Sequence, residues 1–319
     1  MSEPAAIVPD GKGIVSFTID DMLHYLENFR KGETDTLAKT GFTKLDETIY
    51  GYLKGEITII GARPGMGKSS FLINQILKIG HEQKVPVAFF SLELSRHLVM
   101  DRVTSQIAGK RFVLGSLNKY SSEEQQTLTE VLKQLREDPI YFYDAPYCQI
   151  QDLLDQMSQL VNEKQVKVFF IDYLQAIRSH PKKGTIRDEE MAFILRKIKA
   201  WALENNAAVV ISSTLSRAVE TRGGDKKPCL SDLRESGHIE LMADKVLFVY
   251  RPAYYNITED ERGNSLLHRA EIIVAKNSRG PMEEIHLTFD PFTGNFRNDI
   301  NIDEIDFTRF NSGESKTPF

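Results

Sequence analysis

Residues 61–69 bring small, flexible and cationic residues together in the order Gly-Ala-Arg-Pro-Gly-Met-Gly-Lys-Ser. An apolar run precedes this segment and a helical pattern follows it, so we predict a loop between a strand and a helix. Backbone N–H groups of such a loop can surround a phosphate, and the helix N-terminus adds its positive dipole. Lys68 would reach the β- and γ-phosphates of a nucleotide, and the Ser69 hydroxyl would bind Mg²⁺. The predicted nucleotide-binding residues of this phosphate loop and its helix are Arg63, Pro64, Gly65, Met66, Gly67, Lys68, Ser69 and Ser70.

Two acidic residues stand where hydrolysis of a nucleotide needs carboxylates. Asp172 ends the apolar run 168–171, and Glu93 follows the apolar run 87–91. Open α/β sheets bind ligands at the carboxyl ends of their strands, where both side chains are expected. We predict that Asp172 binds magnesium and that Glu93 is the general base that prepares the attacking water. The alternative for Glu93 is a structural place at the start of a helix.

The elements that position these residues alternate along the chain. Strands are predicted at 56–61, 87–91, 140–143, 166–172, 208–213 and 245–250, and helices at 68–82, 150–163 and 188–205. Strands that are apolar on both faces and alternate with helices indicate an α/β domain with a mostly parallel central sheet. The runs 270–276 and 283–290 flank a turn that contains Gly-Pro, and we expect a hairpin at one sheet edge.

The predicted domain spans residues 36–298, and three segments flank it. Residues 1–15 are predicted to be a flexible tail and residues 299–319 an acidic tail. Residues 16–35 are predicted to hold one amphipathic helix, because apolar residues recur there at helical spacing. These apolar residues are Ile19, Met22, Leu23, Leu26 and Phe29. Their stripe must be buried against either the chain's own domain or a neighbouring subunit.

Composition and charge exclude several classes of protein. A hydrophobic content of 41% and a charged content of 27% are those of a globular chain and exclude a mainly disordered one. The net charge of −5 means that nucleic-acid binding would need a local basic segment. The two cysteines, Cys148 and Cys229, are far apart and favour neither a disulfide framework nor a zinc site. The sequence lacks an apolar run of membrane-spanning length and an export signal, so we expect a cytoplasmic protein without membrane contact.

Three segments resemble the helicase domain of DnaB-type replicative helicases. They are Ser91-Leu92-Glu93, Ile171-Asp172-Tyr173-Leu174-Gln175 and Ser231-Asp232-Leu233-Arg234-Glu235-Ser236-Gly237. The phosphate loop and residues 40–55 are similar too, so the resemblance covers about residues 17–297. It implies a RecA-like P-loop ATPase that binds ATP and Mg²⁺ and translocates 5′–3′ on single-stranded DNA as a ring-shaped homohexamer. A primase or a helicase loader would be a further partner, and residues 16–35 would be the linker helix that docks on the next subunit.

The resemblance also assigns residues outside the nucleotide site. A pore loop that contacts the DNA backbone would include Arg217, Arg222, Arg234, Glu235 and Gly237. Residues 217–234 contain five basic and three acidic residues, a local excess that suits phosphate contacts, although a solvated charged loop is the alternative. Lys276 and Arg279 would reach the ATP of a neighbouring subunit, with Arg279 as the arginine finger.

The chain departs from the family pattern at three points. Thr214 stands where the family has a Gln that senses the γ-phosphate, and Ser278 occupies the finger position just before Arg279. Both replacements bear on how hydrolysis is coupled to DNA movement. No part of the sequence corresponds to the family's amino-terminal collar domain, and this short form would fit a phage or mobile-element helicase as well as a chromosomal one.

Two other functions fit the same residues. One is a DNA-binding ring or filament of the RecA kind that does not unwind processively. The other is a non-catalytic platform in which the nucleotide holds a ring together. Lys68, Glu93 and Asp172 favour hydrolysis, because a structural nucleotide site needs no general base.

Overall fold

A computed structural model describes residues 19–31, 34–146, 148–179, 186–233 and 236–299 of the chain. The chain divides into two units, residues 1–35 and residues 36–319. In the first unit, α1 (Ile19–Arg30) is the predicted amphipathic helix. Its exposed apolar side chains are those of Ile19, Met22, Leu23 and Leu26. The side chain of Phe29, the predicted tail 1–15 and residues 300–319 of the predicted acidic tail lie outside the description.

The second unit is built on β-strands whose bounds match most of the predicted runs. They are β1 (Thr36–Ala38), β2 (Tyr52–Leu53), β3 (Ile57–Ala62), β4 (Val87–Ser91), β5 (Ile140–Asp144), β6 (Val168–Asp172), β7 (Ala208–Thr214), β8 (Lys245–Tyr250), β9 (Arg269–Asn277), β10 (Glu284–Phe289) and β11 (Phe296–Asn298). Within the described residues, nine of them form one sheet in the order β11-β10-β9-β8-β3-β7-β6-β4-β5. The six strands from β8 to β5 are parallel, and β9, β10 and β11 are antiparallel.

Helices lie between the strands of this unit. They are α2 (Thr43–Ile49), α3 (Lys68–Leu77), α4 (Arg96–Ala108), α5 (Ser122–Arg136), α6 (Ile150–Lys164), α7 (Arg187–Glu204), α8 (Ala218–Thr221) and α9 (Ser236–Met242). A π-helical turn, Lys78–Glu82, extends α3, and short 3₁₀ turns lie at Leu114–Lys119, Leu174–Ala176, Leu230–Asp232 and Pro252–Tyr255.

Both faces of the sheet are buried, because alternate residues of the central strands enter two apolar clusters. On one face, Ile57 and Ile59 join the cluster that contains Trp201 of α7. On the other face, Ile60 joins the cluster that contains Phe71 of α3. Burial on both faces explains why these strands read as continuous apolar runs. It also leaves the carboxyl edge of the sheet as the place where polar side chains can gather.

The structure confirms the mostly parallel sheet and the hairpin, in which Glu284 of β10 pairs with Ile273 of β9. The sheet edge differs from the prediction, since β11 continues beyond the hairpin as the outermost strand. Sequence reasoning also missed α4 and α5. The signal for α5 was present, because Ser121 and Glu124 form a capping box at its start.

Candidate nucleotide site and its surroundings

The phosphate loop, residues 61–69, connects the end of β3 to the start of α3. Gly65 and Gly67 have φ values of +80° and +99°, a region that residues with side chains rarely adopt. A Cβ on Gly67 would also lie 3.2 Å from the Phe296 ring. Lys68 is the first helical residue, so the loop wraps the positive end of α3. This geometry suits a phosphate.

The other residues assigned to the loop point in different directions. Pro64, Ser69 and Ser70 line the cleft above the loop. Met66 is buried, with 2% of its side chain exposed. Arg63 also lines the cleft, and its guanidinium pairs with Glu220.

Lys68, Asp172 and Ser212 form a buried polar cluster beneath the loop. The Lys68 ammonium donates to Asp172 Oδ1 at 2.5 Å and to Ser212 Oγ at 2.7 Å. The Ser212 hydroxyl also donates to Asp172. Because β3, β7 and β6 are successive neighbours in the sheet, the three side chains meet although they are far apart in sequence.

Two opposed effects set the ionisation of Asp172. Burial raises its pKa, whereas the charge of Lys68 and hydrogen bonds from Lys68, Ser212 and Ser69 lower it, and the pKa lies below its ordinary value. The carboxylate is therefore ionised at neutral pH. Within the described part of the chain, its Oδ2 is buried without a hydrogen-bond partner. A carboxylate oxygen left open beside a serine hydroxyl has the donor chemistry that Mg²⁺ prefers.

A cleft of about 710 Å³ opens above this cluster. Its lining includes the phosphate loop, Glu93, residues 101 and 102 of α4, and the turn that follows β10. Glu93 is exposed and lies two residues after the end of β4. The structure thus brings Lys68, Ser69 and Glu93 to one cleft, as the strand-end argument expects.

Arginines that sequence reasoning missed also line the cleft, among them Arg102 and Arg251. Burial lowers the pKa of Arg102, while the charges of Asp172 and Glu93 raise it. Burial lowers the pKa of Arg251 to about 10, and its guanidinium lies 4.0 Å from the centre of the Phe289 ring. Arg251 directly follows β8, so the strand-end rule that identified Asp172 could have identified it. Both arginines add positive charge to a cleft suited to an anion.

The segment assigned to DNA is only partly available for phosphate contacts. Arg217 is exposed. Arg222 pairs with the Asp232 carboxylate at 2.5 Å, and Lys227 pairs with Glu271 and Glu284 of the hairpin at 2.8 and 2.5 Å. The two hairpin carboxylates on Lys227 therefore offset part of the local positive excess counted from the sequence. The exposed Gly237 lies in α9, and Arg234 and Glu235 lie outside the described residues.

Thr214, which stands at the predicted sensor position, ends β7 and lines the cleft. Its backbone N–H donates to Gln175 Oε1 at 3.4 Å, and Gln175 Nε2 donates to the Ser213 hydroxyl at 2.9 Å. A carboxamide from the end of β6 therefore lies next to Thr214.

Lys276 and Arg279 lie at the opposite, amino-terminal edge of the parallel strands. Arg279 Nε is 2.7 Å from Glu56, the residue before β3, and half of the Arg279 side chain is exposed. Lys276 donates to the carbonyls of Glu240 and Ala243 at the end of α9, each at 2.7 Å. Neither side chain reaches the cleft of its own chain.

Comparison with known proteins identifies the family. Residues 38–298 match the DnaB-like helicase C terminal domain family. The chain belongs to this family. It is 38% identical over 255 residues to a probable replicative DNA helicase of Trieres chinensis, covering 79% of this chain and 55% of that protein. It is 36% identical over 272 residues to the replicative DNA helicase DnaB of Geobacillus stearothermophilus, covering 84% and 58%. The chain spans less than two thirds of the length of these relatives.

Solved structures confirm the RecA-like fold of this family member. A structure solved as an isolated ATPase domain matches with a TM-score of 0.78 and 28% identity, over 89% of this chain and all of that one. A DnaB-like replicative helicase, described with its interactions with primase, matches with a TM-score of 0.77 and 28% identity, over 89% of this chain and 69% of that one. Among the described helices, none is both long and apolar enough to cross a membrane.

Proposed function

We propose that this chain is the ATP-hydrolysing motor of a replicative DNA helicase that moves on single-stranded DNA as a ring-shaped homohexamer. The observation that carries the proposal is the buried Lys68–Asp172 pair beneath a phosphate loop, in which one carboxylate oxygen has no hydrogen-bond partner among the described residues. Apolar residues could replace a buried ion pair without loss of stability, so stability alone does not account for it. The similarity to replicative DNA helicases supports DNA as the polymer along which the motor moves.

The hydrogen bonds of Lys68 indicate what nucleotide binding must change. Lys68 is held by Asp172 and Ser212, so it reaches the β- and γ-phosphates of ATP only when that pair opens. Asp172 and Ser69 are the residues that would hold Mg²⁺, and the bound ion would neutralise charge on the phosphate oxygens. Lys68, once released from Asp172, would place its positive charge beside the transferred phosphoryl group and stabilise the negative charge on its oxygens.

Glu93 would act as the general base. It follows β4 and lines the same cleft as Lys68 and Ser69, so its carboxylate would face the space in which ATP and the attacking water are bound. Arg102 lies close enough for the charges of both Glu93 and Asp172 to raise its pKa. Its positive charge would therefore lie between the two carboxylates of the site and act on both.

Arg279 and Lys276 would act on the nucleotide of the neighbouring subunit. The strand β3 contains six residues, which at about 3.3 Å each separate Glu56 from the phosphate loop by roughly 20 Å. Arg279, paired with Glu56, cannot span this distance within its own chain. A guanidinium donated from the next subunit would make hydrolysis depend on the ring.

The DNA would run along the segment that contains Arg217, Arg222, Arg234, Glu235 and Gly237. Among these residues, the exposed Arg217 is the one whose described environment best suits a phosphate contact. The exposed apolar stripe of α1 would dock on the next subunit and support the hexamer. A primase or a helicase loader would bind the assembled ring.

Strand displacement on a forked DNA duplex tests the proposal. The wild-type chain and Lys68→Ala are compared with ATP at one fixed salt concentration, because phosphate contacts make DNA binding salt-dependent. We expect displacement by the wild type and none by the variant. Hydrolysis and DNA binding without displacement would instead favour a DNA-binding ring that does not unwind, a function that Thr214 at the sensor position supports.

A further inference from the structure

Arg63 joins the phosphate loop to the basic segment, defined here as residues 215–233. Its Nε lies 2.8 Å from Glu220 Oε1, and its Nη1 donates to the Leu215 carbonyl at 2.7 Å. Arg63 is 8% exposed, and a charge-assisted hydrogen bond is stronger in such a partly dry place than in water. One side chain thus links two regions that are 157 residues apart in sequence.

Arg63 contacts the basic segment at its base, which is the place where the two ends of the segment, residues 215–216 and 232–233, meet. Leu215 forms an antiparallel bridge with Leu233, and the Ser216 N–H donates to the Asp232 carbonyl at 2.7 Å. The two ends of the segment are therefore held together where Arg63 contacts it. Glu220 belongs to α8, which follows this base directly. Movement of the Arg63 guanidinium would displace both the base and α8.

The other ion pairs of the basic segment have different partners. Arg222 pairs within the segment, and Lys227 pairs with the hairpin residues Glu271 and Glu284. Among the ion pairs of the residues that the structure describes, Arg63–Glu220 is the one that runs from the phosphate loop to this segment.

Arg63 also lines the nucleotide cleft together with Gly65 and Lys68. A phosphate anion that enters the cleft would attract the guanidinium that now pairs with Glu220, because arginine binds phosphate as well as it binds carboxylate. Glu220 can respond, because 37% of its side chain is exposed and α8 is a single turn. The Arg63–Glu220 pair can therefore adopt two states, one in which the two side chains are paired and one in which Arg63 contacts phosphate.

We propose that Arg63 and Glu220 are positioning residues that couple the nucleotide state to the DNA affinity of the basic segment. This inference rests on the proposed function. Since coupling between two sites is reciprocal, ATP must change the affinity for single-stranded DNA by the factor with which DNA changes the affinity for ATP. Breaking the pair lowers this factor even where each ligand still binds.

The test measures oligo(dT) binding by fluorescence anisotropy, at one salt concentration, with ADP and with a non-hydrolysable ATP analogue. The ratio of the two dissociation constants is the coupling factor. We expect Glu220→Gln, which keeps the side-chain shape, to lower it at least fivefold, about 1 kcal/mol of coupling free energy. Glu284→Gln is the matched control, because it removes an exposed carboxylate paired with the same segment but not with the phosphate loop. It should keep the wild-type factor.

A double-mutant cycle with Arg63→Gln completes the test. If the pair is the link, Arg63→Gln and Glu220→Gln together lower the coupling factor no further than either alone. A wild-type factor in Glu220→Gln, or equal losses in Glu220→Gln and Glu284→Gln, overturns the inference and leaves the proposed function standing. A wild-type chain that neither hydrolyses ATP nor binds oligo(dT) overturns both.

Discussion

Replacing Lys68 by methionine would remove one half of the buried ion pair in the ligand-free protein. The Lys68 side chain is 9% exposed, that of Asp172 is fully buried, and the charged atoms are 2.5 Å apart. At an effective dielectric constant of about 20, this attraction is about 7 kcal/mol. Its loss is partly offset because the ammonium no longer has to leave water. Breaking a buried pair costs about 3–5 kcal/mol, and we expect Lys68→Met to lower the free energy of unfolding by about 3 kcal/mol at pH 7.

The loss in free energy of unfolding caused by Lys68→Met should become smaller at lower pH. In the wild type, the pKa of Asp172 is depressed, so the stability it contributes is present above the unfolded pKa and is lost as pH falls through the folded value. In Lys68→Met the charge that depresses this pKa is gone and burial raises it. The variant can then protonate Asp172 at a higher pH. The stability difference between the two proteins should narrow as pH falls from 7 toward 4.

Urea denaturation of the ligand-free proteins, at one protein concentration and several pH values, measures both effects. Lys68→Met/Asp172→Asn is the control, since it leaves neither charge buried. We expect it to recover most of the lost stability. A cost below about 1 kcal/mol at pH 7, a difference that does not change with pH, or additive losses in the double variant would refute the reasoning.

Three further predictions concern activity. Glu93→Gln should still bind ATP but lower kcat at least 100-fold, since general-base catalysis contributes about 10²–10⁴-fold, and near-normal phosphate release would remove Glu93 from this role. Arg217→Ala should reduce the slope of log binding constant against log salt concentration for oligo(dT) by about one unit. Arg222→Ala should change this slope less, because Asp232 already neutralises the charge of Arg222. Equal changes in the two variants would contradict this prediction. Lys68→Ala and Arg279→Ala should each be inactive and regain ATPase activity when mixed into one ring, because the finger of one completes the cleft of the other. Mixed rings that stay inactive would count against the finger.

Much of the candidate site could be predicted because its signals are local. The phosphate loop needs glycines, a lysine and a serine at fixed spacing between a strand and a helix. Asp172 and Glu93 each follow an apolar run, and parallel strands bring such positions to one edge. Arg251 obeys the same rule and was missed because an arginine after a strand is a weaker signal than a carboxylate. Arg102 lies on α4, whose position against the cleft no local pattern reveals.

The α/β alternation, the phosphate loop and the residue types that its chemistry needs all follow from local sequence patterns. Hydrophobic periodicity reports which residues are buried, but not which strand lies beside which. The tertiary structure decided that Lys68 meets Asp172 and Ser212, 104 and 144 residues away, because the sheet order places β3, β7 and β6 side by side. It also decided that Arg222 is neutralised by Asp232 and that Arg63 contacts Glu220. Whether a charged side chain forms an ion pair depends on the residues that the fold places beside it, and these residues can be distant in sequence.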